Sequence, residues 1–121
     1  MAVYLIAFNQ EWVPDYTTEE FWEIAAATRA LVAEMEQAGV LVFTGGLEEQ
    51  APVFSVEPRS GEPVVTDGPF VETKEHLGGL AIVDVPDEAA ARSWAERIAV
   101  ACRWPQEVHR FGAGSTVPGN R

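Results

Sequence analysis

The order of the apolar patterns along the chain restricts its fold more than any other feature. Residues 2–9, 40–44 and 79–85 are short apolar runs rich in strand-forming residues, which predicts three strands. Apolar residues at helical spacing follow the first run and the third. A last alternating run over 106–111 predicts a further strand. The chain therefore contains two successive β-α-β units.

Local signals place the ends of both predicted helices. Thr17 and Glu20 form a capping box at the start of the first helix, and Gly39 ends it. Pro86 and Asp87 open the second helix. The first helix is expected to bury one continuous stripe of residues: Phe21, Ile24, Ala25, Thr28, Leu31, Val32, Met35 and Ala38.

Two shorter extended segments interrupt this order. Residues 52–57 and 62–66 flank a turn at 59–61, which predicts a β-hairpin outside the main sheet. The result is an α+β, ferredoxin-like βαββαβ fold with an inserted β-hairpin, both helices covering one face of an antiparallel sheet. The length of 121 residues suits a single domain, which we place at 1–111, with a flexible tail over 112–121.

The predicted strands are apolar on both faces. In the first strand Leu5 points to one face and Ile6 to the other, and neither face alternates with polar residues. A second copy of the chain is the simplest cover for the second face, so we expect a homodimer with a cavity between two sheets. We expect Ile6 to lie at this interface.

Charge and cysteine content exclude several classes of protein. The net charge is −11, from 19 acidic and 8 basic residues, so the chain lacks the basic surface that nucleic acid or an anionic membrane requires. No apolar run approaches the roughly 20 residues that span a bilayer. The first strand has no basic leader or cleavage pattern, and Cys102 is a lone cysteine. We therefore expect a cytoplasmic protein.

Residues 65–79, with the sequence VTDGPFVETKEHLGG, closely resemble the signature of the YCII-related, or DGPF-domain, family. The resemblance implies a dimeric α/β barrel of ferredoxin-like protomers. It also implies a small-molecule ligand and an association with an extracytoplasmic-function sigma factor. Enzymes in the wider group have a proposed His–Asp pair whose histidine lies in the first helix. The corresponding stretch here, Ala27-Thr28-Arg29, contains no histidine.

Asp67 and His76 are the candidate catalytic residues. Asp67-Gly68-Pro69 is a turn sequence, and Asp67 is either a turn residue or a general base at a pocket mouth. His76 is either a surface imidazole or a proton shuttle, four residues after Glu72 and on the same face if this segment is helical. The predicted ligand contacts are Phe70, Glu72, Thr73, Lys74, Gly45 and Gly46.

The absence of several known motifs excludes further classes of function. No metal-ligand spacing, phosphate loop or dinucleotide fingerprint is present, so we expect neither a metal nor a cofactor. His109 and Arg110 point to opposite faces of the last strand, and the sequence leaves open which of them faces the dimer cavity. Two functions are supported about equally by the sequence: a regulatory small-ligand-binding protein, and a cofactor-free lyase or isomerase that uses Asp67 and His76. A purely structural dimer ranks third.

Overall fold

The computed structural model describes residues 2–49, 52–69 and 76–116. In chain order the described elements are β1 (Ala2–Asn9), a 3₁₀ turn (Gln10–Trp12), α1 (Thr18–Gln37), β2 (Leu41–Gly46), β3 (Phe54–Arg59), β4 (Glu62–Asp67), β5 (Leu77–Val85), α2 (Glu88–Cys102) and β6 (Gln106–Arg110). The main sheet has the order β2-β5-β1-β6 with antiparallel neighbours. This confirms the ferredoxin-like α+β prediction. No helix in the described part of the chain is both long enough and apolar enough to cross a membrane.

Both helices begin at the predicted caps. The Glu20 N–H donates to Thr17 Oγ1 at 3.1 Å and the Thr17 N–H donates to Glu20 Oε1 at 3.0 Å, which completes the capping box. The Asp87 carboxylate accepts the Ala90 N–H at 2.8 Å at the start of α2. At the other end of α2, the Tyr16 hydroxyl lies 2.6 Å from the Arg103 carbonyl oxygen and 3.0 Å from the Cys102 carbonyl oxygen, to either of which it can donate. That contact ties the end of α2 to the segment before α1.

The core lies between the sheet and the two helices. Ile6 is fully buried there, so its predicted place at an interface is wrong: Ile6 points towards the helices, and Leu5 lies on the opposite, uncovered face. The other buried apolar residues of the sheet and helices are Ala2, Tyr4, Phe8, Leu31, Met35, Ala81, Val83, Val85, Ala91, Ala95 and Ile98.

The stripe of α1 is buried only in part. Leu31 and Met35 are in the core, whereas Phe21, which was predicted to be buried, is 55% exposed. The reason is that α1 does not close on the sheet along its whole length. Thr28 and Val32 instead line a cavity.

The inserted hairpin forms a sheet of its own, as predicted. Strands β3 and β4 pair only with each other among the described strands. The turn consists of Ser60 and Gly61 with φ values of 52° and 82°. Two successive left-handed residues match the twist of a tight hairpin. One face of the hairpin exposes Phe54, Val56 and Val65.

Candidate functional site

An apolar cavity of about 300 Å³ lies between the helices and the main sheet. Residues of α1, β2, β5 and α2 form its walls, and Trp104 lies in the loop that follows α2. Leu31, Met35, Leu41 and Ile98 are among the lining side chains. None of the described residues that line it is charged. The sequence predicted a cavity between two copies of the chain, whereas this one lies within a single protomer.

Glycines form one side of this cavity. Gly45 and Gly46 are exposed on the edge strand β2 and line the cavity, and both were predicted to contact a ligand. Gly79 pairs with Gly46, and a Cβ at Gly79 would lie 3.1 Å from the Gly45 carbonyl oxygen. The second glycine of the Leu-Gly-Gly signature therefore allows β5 to approach β2 closely at the cavity wall.

The polar atoms of the cavity wall are few and uncharged. Thr44 Oγ1 donates to the Leu80 carbonyl oxygen at 3.1 Å. Thr28 Oγ1 and Cys102 Sγ are 3.5 Å apart, and either of them can be the donor. A hydroxyl that already donates its hydrogen can still accept a hydrogen bond, so these groups offer a ligand one or two weak hydrogen bonds.

Trp104 joins the cavity wall to the start of β5. Its Nε1–H donates to the Asn9 carbonyl oxygen at 2.9 Å, and its ring centroid lies 5.2 Å from that of Phe8. A Cβ at Gly78 would lie 2.9 Å from the indole ring and 2.8 Å from Gln10 Oε1. The first glycine of the Leu-Gly-Gly signature is thus required by the indole that packs against it.

His76 is held by Glu11 in an ion-pair geometry. His76 Nδ1 lies 2.5 Å from Glu11 Oε1, and the His76 backbone N–H donates to Glu11 Oε2 at 3.0 Å. The Gln10 N–H also donates to the His76 carbonyl oxygen at 2.7 Å. Sequence reasoning missed Glu11 because no local pattern links positions 11 and 76. Only the β1–β5 register, which pairs Asn9 with Leu77, brings them together.

These hydrogen bonds make stability depend on pH at Glu11. The His76 side chain and backbone N–H hold the pKa of the Glu11 carboxyl below its ordinary value of 4.5. A lowered pKa stabilises the folded state above pH 4.5, and this contribution is lost as the pH falls through the folded-state pKa. Glu11→Gln should therefore lower the urea midpoint near neutral pH and have a diminishing effect in acid. Glu96→Gln, at an exposed position on α2, should show no such dependence. A constant Glu11→Gln effect at all pH values would contradict this account.

Asp67 ends β4 of the hairpin, whereas His76 lies directly before β5, a strand of the main sheet. The Asp67 side chain is exposed and has no hydrogen bond or ion pair with the residues that the structure describes. The turn is held instead by Gly68, whose N–H donates to the Val53 carbonyl oxygen and whose carbonyl oxygen accepts from Ser55 Oγ, both at 2.6 Å. No hydrogen bond or ion pair within the described ranges joins Asp67 to His76. Their predicted joint action in catalysis stays a prediction. The remaining predicted contacts lie outside the described residues: Phe70, Glu72, Thr73 and Lys74.

Two substitutions distinguish the contribution of the turn backbone at Gly68 to stability from that of the Asp67 side chain. Gly68 has φ 90°, so Gly68→Ala should destabilise the hairpin by about 1–2 kcal/mol. Asp67→Asn should change its stability by less than about 0.5 kcal/mol, since the carboxylate bonds to no described group. Hydrogen exchange of the β3–β4 amides measures both effects. An Asp67→Asn hairpin that opens as readily as the Gly68→Ala hairpin would make Asp67 a turn residue after all.

His109 faces the uncovered side of the sheet, because it pairs with Leu5, while Arg110 pairs with Tyr4 on the helix side. His109 Nε2 lies 3.3 Å from Glu107 Oε1 on the same face. No cluster of three or more His, Cys, Asp or Glu residues in the described ranges could hold a metal ion.

Comparison with known proteins identifies the family. The model of the YCII-related domain matches residues 3–102. The chain belongs to the YCII-related family. An uncharacterized protein of Rhizobium meliloti (strain 1021) is 29% identical to this YCII-related chain over 85 residues, which cover 69% of this chain and 68% of that protein. The resemblance drawn from residues 65–79 is therefore confirmed.

Proposed function

We propose that this YCII-related protein binds a small, uncharged, largely apolar molecule in the cavity between α1 and the main sheet. The observation that carries the proposal is the cavity of about 300 Å³ with no charged residue among its described lining residues. Small-molecule sites are concave and mostly apolar with a few polar groups, which matches this wall. A volume at the lower end of the usual range favours a compact ring system.

The lining also determines which ligands are disfavoured. A charged group that enters an apolar cavity without a partner loses its hydration, at a cost of several kcal/mol. The hydroxyls of Thr28 and Thr44 and the thiol of Cys102 can hydrogen-bond to a ligand, but they cannot neutralise one. Carboxylates and amines should therefore bind poorly here, while a phenol or a bicyclic hydrocarbon should bind well.

Titration with 2-naphthol tests the proposal, with 2-naphthoate as the charged analogue. We expect saturable binding of 2-naphthol and at least about tenfold weaker binding of 2-naphthoate, a difference of about 1.4 kcal/mol. Val32→Phe places a larger side chain in the cavity wall and should weaken 2-naphthol binding by a similar factor. Val100→Phe makes the same change on α2 at a side chain that is 79% exposed, and it should leave binding unchanged. Equal binding of the two probes, or equal effects of the two variants, would refute the proposal.

Dimerisation through the uncovered face of the main sheet forms part of this proposal. Its support is the apolar character of that face, which carries Val3, Leu5, Leu80 and Ile82, with Phe43 58% exposed beside Ile82. Five apolar side chains on a face that no described element covers are typical of an interface. Two sheets joined in this way would give the dimeric α/β barrel that the family resemblance implies.

The regulatory form of the proposal is ligand-dependent association with an extracytoplasmic-function sigma factor, supported by the family resemblance alone. Co-purification of such a sigma factor that changes when 2-naphthol is added would support it.

The second candidate function is that of a cofactor-free lyase or isomerase, favoured by the Glu11 carboxylate that orients the His76 imidazole. His76→Gln should then abolish turnover while the protein remains folded.

A further inference from the structure

A second, smaller cavity lies on the opposite side of the main sheet. Its volume is about 190 Å³, and its lining residues are Ala7, Asn9, Trp12, Leu77 and Glu107. Ala7 alternates along β1 with Ile6 and Phe8 of the core, so this cavity opens on the uncovered face. The sheet separates it from the apolar cavity. We call it the open-face cavity.

Asn9 supplies a hydrogen-bond donor to the open-face cavity. The residue is only 9% exposed, and its Oδ1 accepts the Glu11 N–H at 3.2 Å. Its Nδ2 has no hydrogen-bond partner among the residues that the structure describes. This amide nitrogen is therefore free to donate a hydrogen bond to an acceptor on a bound molecule.

The charge of the open-face cavity is negative. The Glu107 carboxylate lies in its wall with its Oε1 3.3 Å from His109 Nε2, and none of its described lining residues is Lys or Arg. The chain as a whole carries a net charge of −11, which raises the local concentration of cations and repels anions.

Apolar side chains complete the open-face cavity. The Trp12 indole, half-buried at the end of the 3₁₀ turn, and Leu77 provide surfaces for a ring or a short alkyl group. An indole ring also attracts a cation placed over it. A volume below that of drug-sized sites limits the ligand to a compact molecule.

We propose that the open-face cavity binds a compact amino alcohol, with its ammonium on Glu107, its hydroxyl oxygen accepting from Asn9 Nδ2 and its apolar part against Trp12 and Leu77. An ammonium beside a carboxylate forms a charge-assisted hydrogen bond, stronger than one between neutral groups. This site differs from the neutral apolar cavity in charge and in position, so either of the two binding proposals can fail without the other.

Two-dimensional ¹H–¹⁵N spectra of the four tryptophan indole groups can test both sites at once. Each indole signal is assigned with a Trp→Phe variant. The probe is 2-amino-1-phenylethanol; the uncharged 1-phenyl-1,2-ethanediol and the anion mandelate are its matched analogues. We expect a saturable shift of the Trp12 signal with the amino alcohol, at least tenfold weaker binding of the diol, and no shift with mandelate.

Glu107→Gln should weaken binding of the amino alcohol at least tenfold, and Glu96→Gln on α2 should not. Unchanged indole signals in the absence of probe show that each variant is folded. Equal affinities for the amino alcohol and the diol, or full affinity in Glu107→Gln, would overturn the proposal. A shift of Trp104 alone would also overturn it, since Trp104 lines the apolar cavity. So would the absence of any saturable shift, as expected if a second copy of the chain fills the cavity.

Discussion

Ile6→Glu should abolish folding, whereas Leu5→Glu should yield a folded monomer. The two residues are neighbours on β1 and point to opposite faces of the sheet. Ile6 is fully buried among the helix-facing residues, and an unpaired carboxylate there costs several kcal/mol, a large part of the stability of a small domain. Leu5 is half-buried on the uncovered face, where only a partner would bury the new charge.

Sedimentation and circular dichroism distinguish the two outcomes. The parent protein should sediment at twice the chain mass of 13.2 kDa, and Leu5→Glu at the chain mass with a native spectrum. A penalty of about 3 kcal/mol at the interface would weaken the dimer more than a hundredfold. A parent that remains at 13.2 kDa at micromolar concentration would refute the dimer. Loss of fold in Leu5→Glu would show that this face packs inside the protomer.

The sequence predicted the elements well because their ends depend on local chemistry. The capping box of Thr17 and Glu20 and the cap of Asp87 are hydrogen bonds between residues three apart, which a sequence displays directly. The start of β1 and the separate hairpin also follow from local patterns of apolar and turn residues. The sequence also showed that the strands are apolar on both faces, but this pattern does not indicate which face the helices cover. Ile6 was therefore assigned to the wrong side.

The candidate sites depend on contacts between distant segments, and the sequence indicated them poorly. Glu11 and His76 are 65 residues apart, and only the β1–β5 pairing joins them. Helical spacing predicted one buried stripe on α1, yet part of it lines the apolar cavity. How closely a helix approaches a sheet depends on all the side chains between them. Gly45 and Gly46, predicted as ligand contacts, do line that cavity, whereas Asp67, the predicted catalytic residue, ends β4 of the separate hairpin.

Trp104→Ala should cost about 3 kcal/mol of unfolding free energy, the lower end of the range for loss of a packed indole, because Trp104 is half-buried. The substitution removes the contact with Phe8 and the hydrogen bond to the Asn9 carbonyl oxygen. Trp104→Phe keeps most of the packing and should cost about 1 kcal/mol, the worth of the lost hydrogen bond. Urea denaturation of the two variants measures both values. Equal costs would mean that the hydrogen bond, and not the ring, holds this loop.

Gly78→Ala tests the same packing from the other side. The new Cβ would lie 2.9 Å from the indole, so we expect a loss of about 1–3 kcal/mol in the parent background. With Trp104→Ala already present, Gly78→Ala should cost much less, since only the flexible Gln10 side chain remains in its way. The two losses should thus fall short of additivity by about 1 kcal/mol or more, as for residues in direct contact. Strict additivity would mean that Gly78 is required for another reason and that the Leu-Gly-Gly signature does not record the position of Trp104.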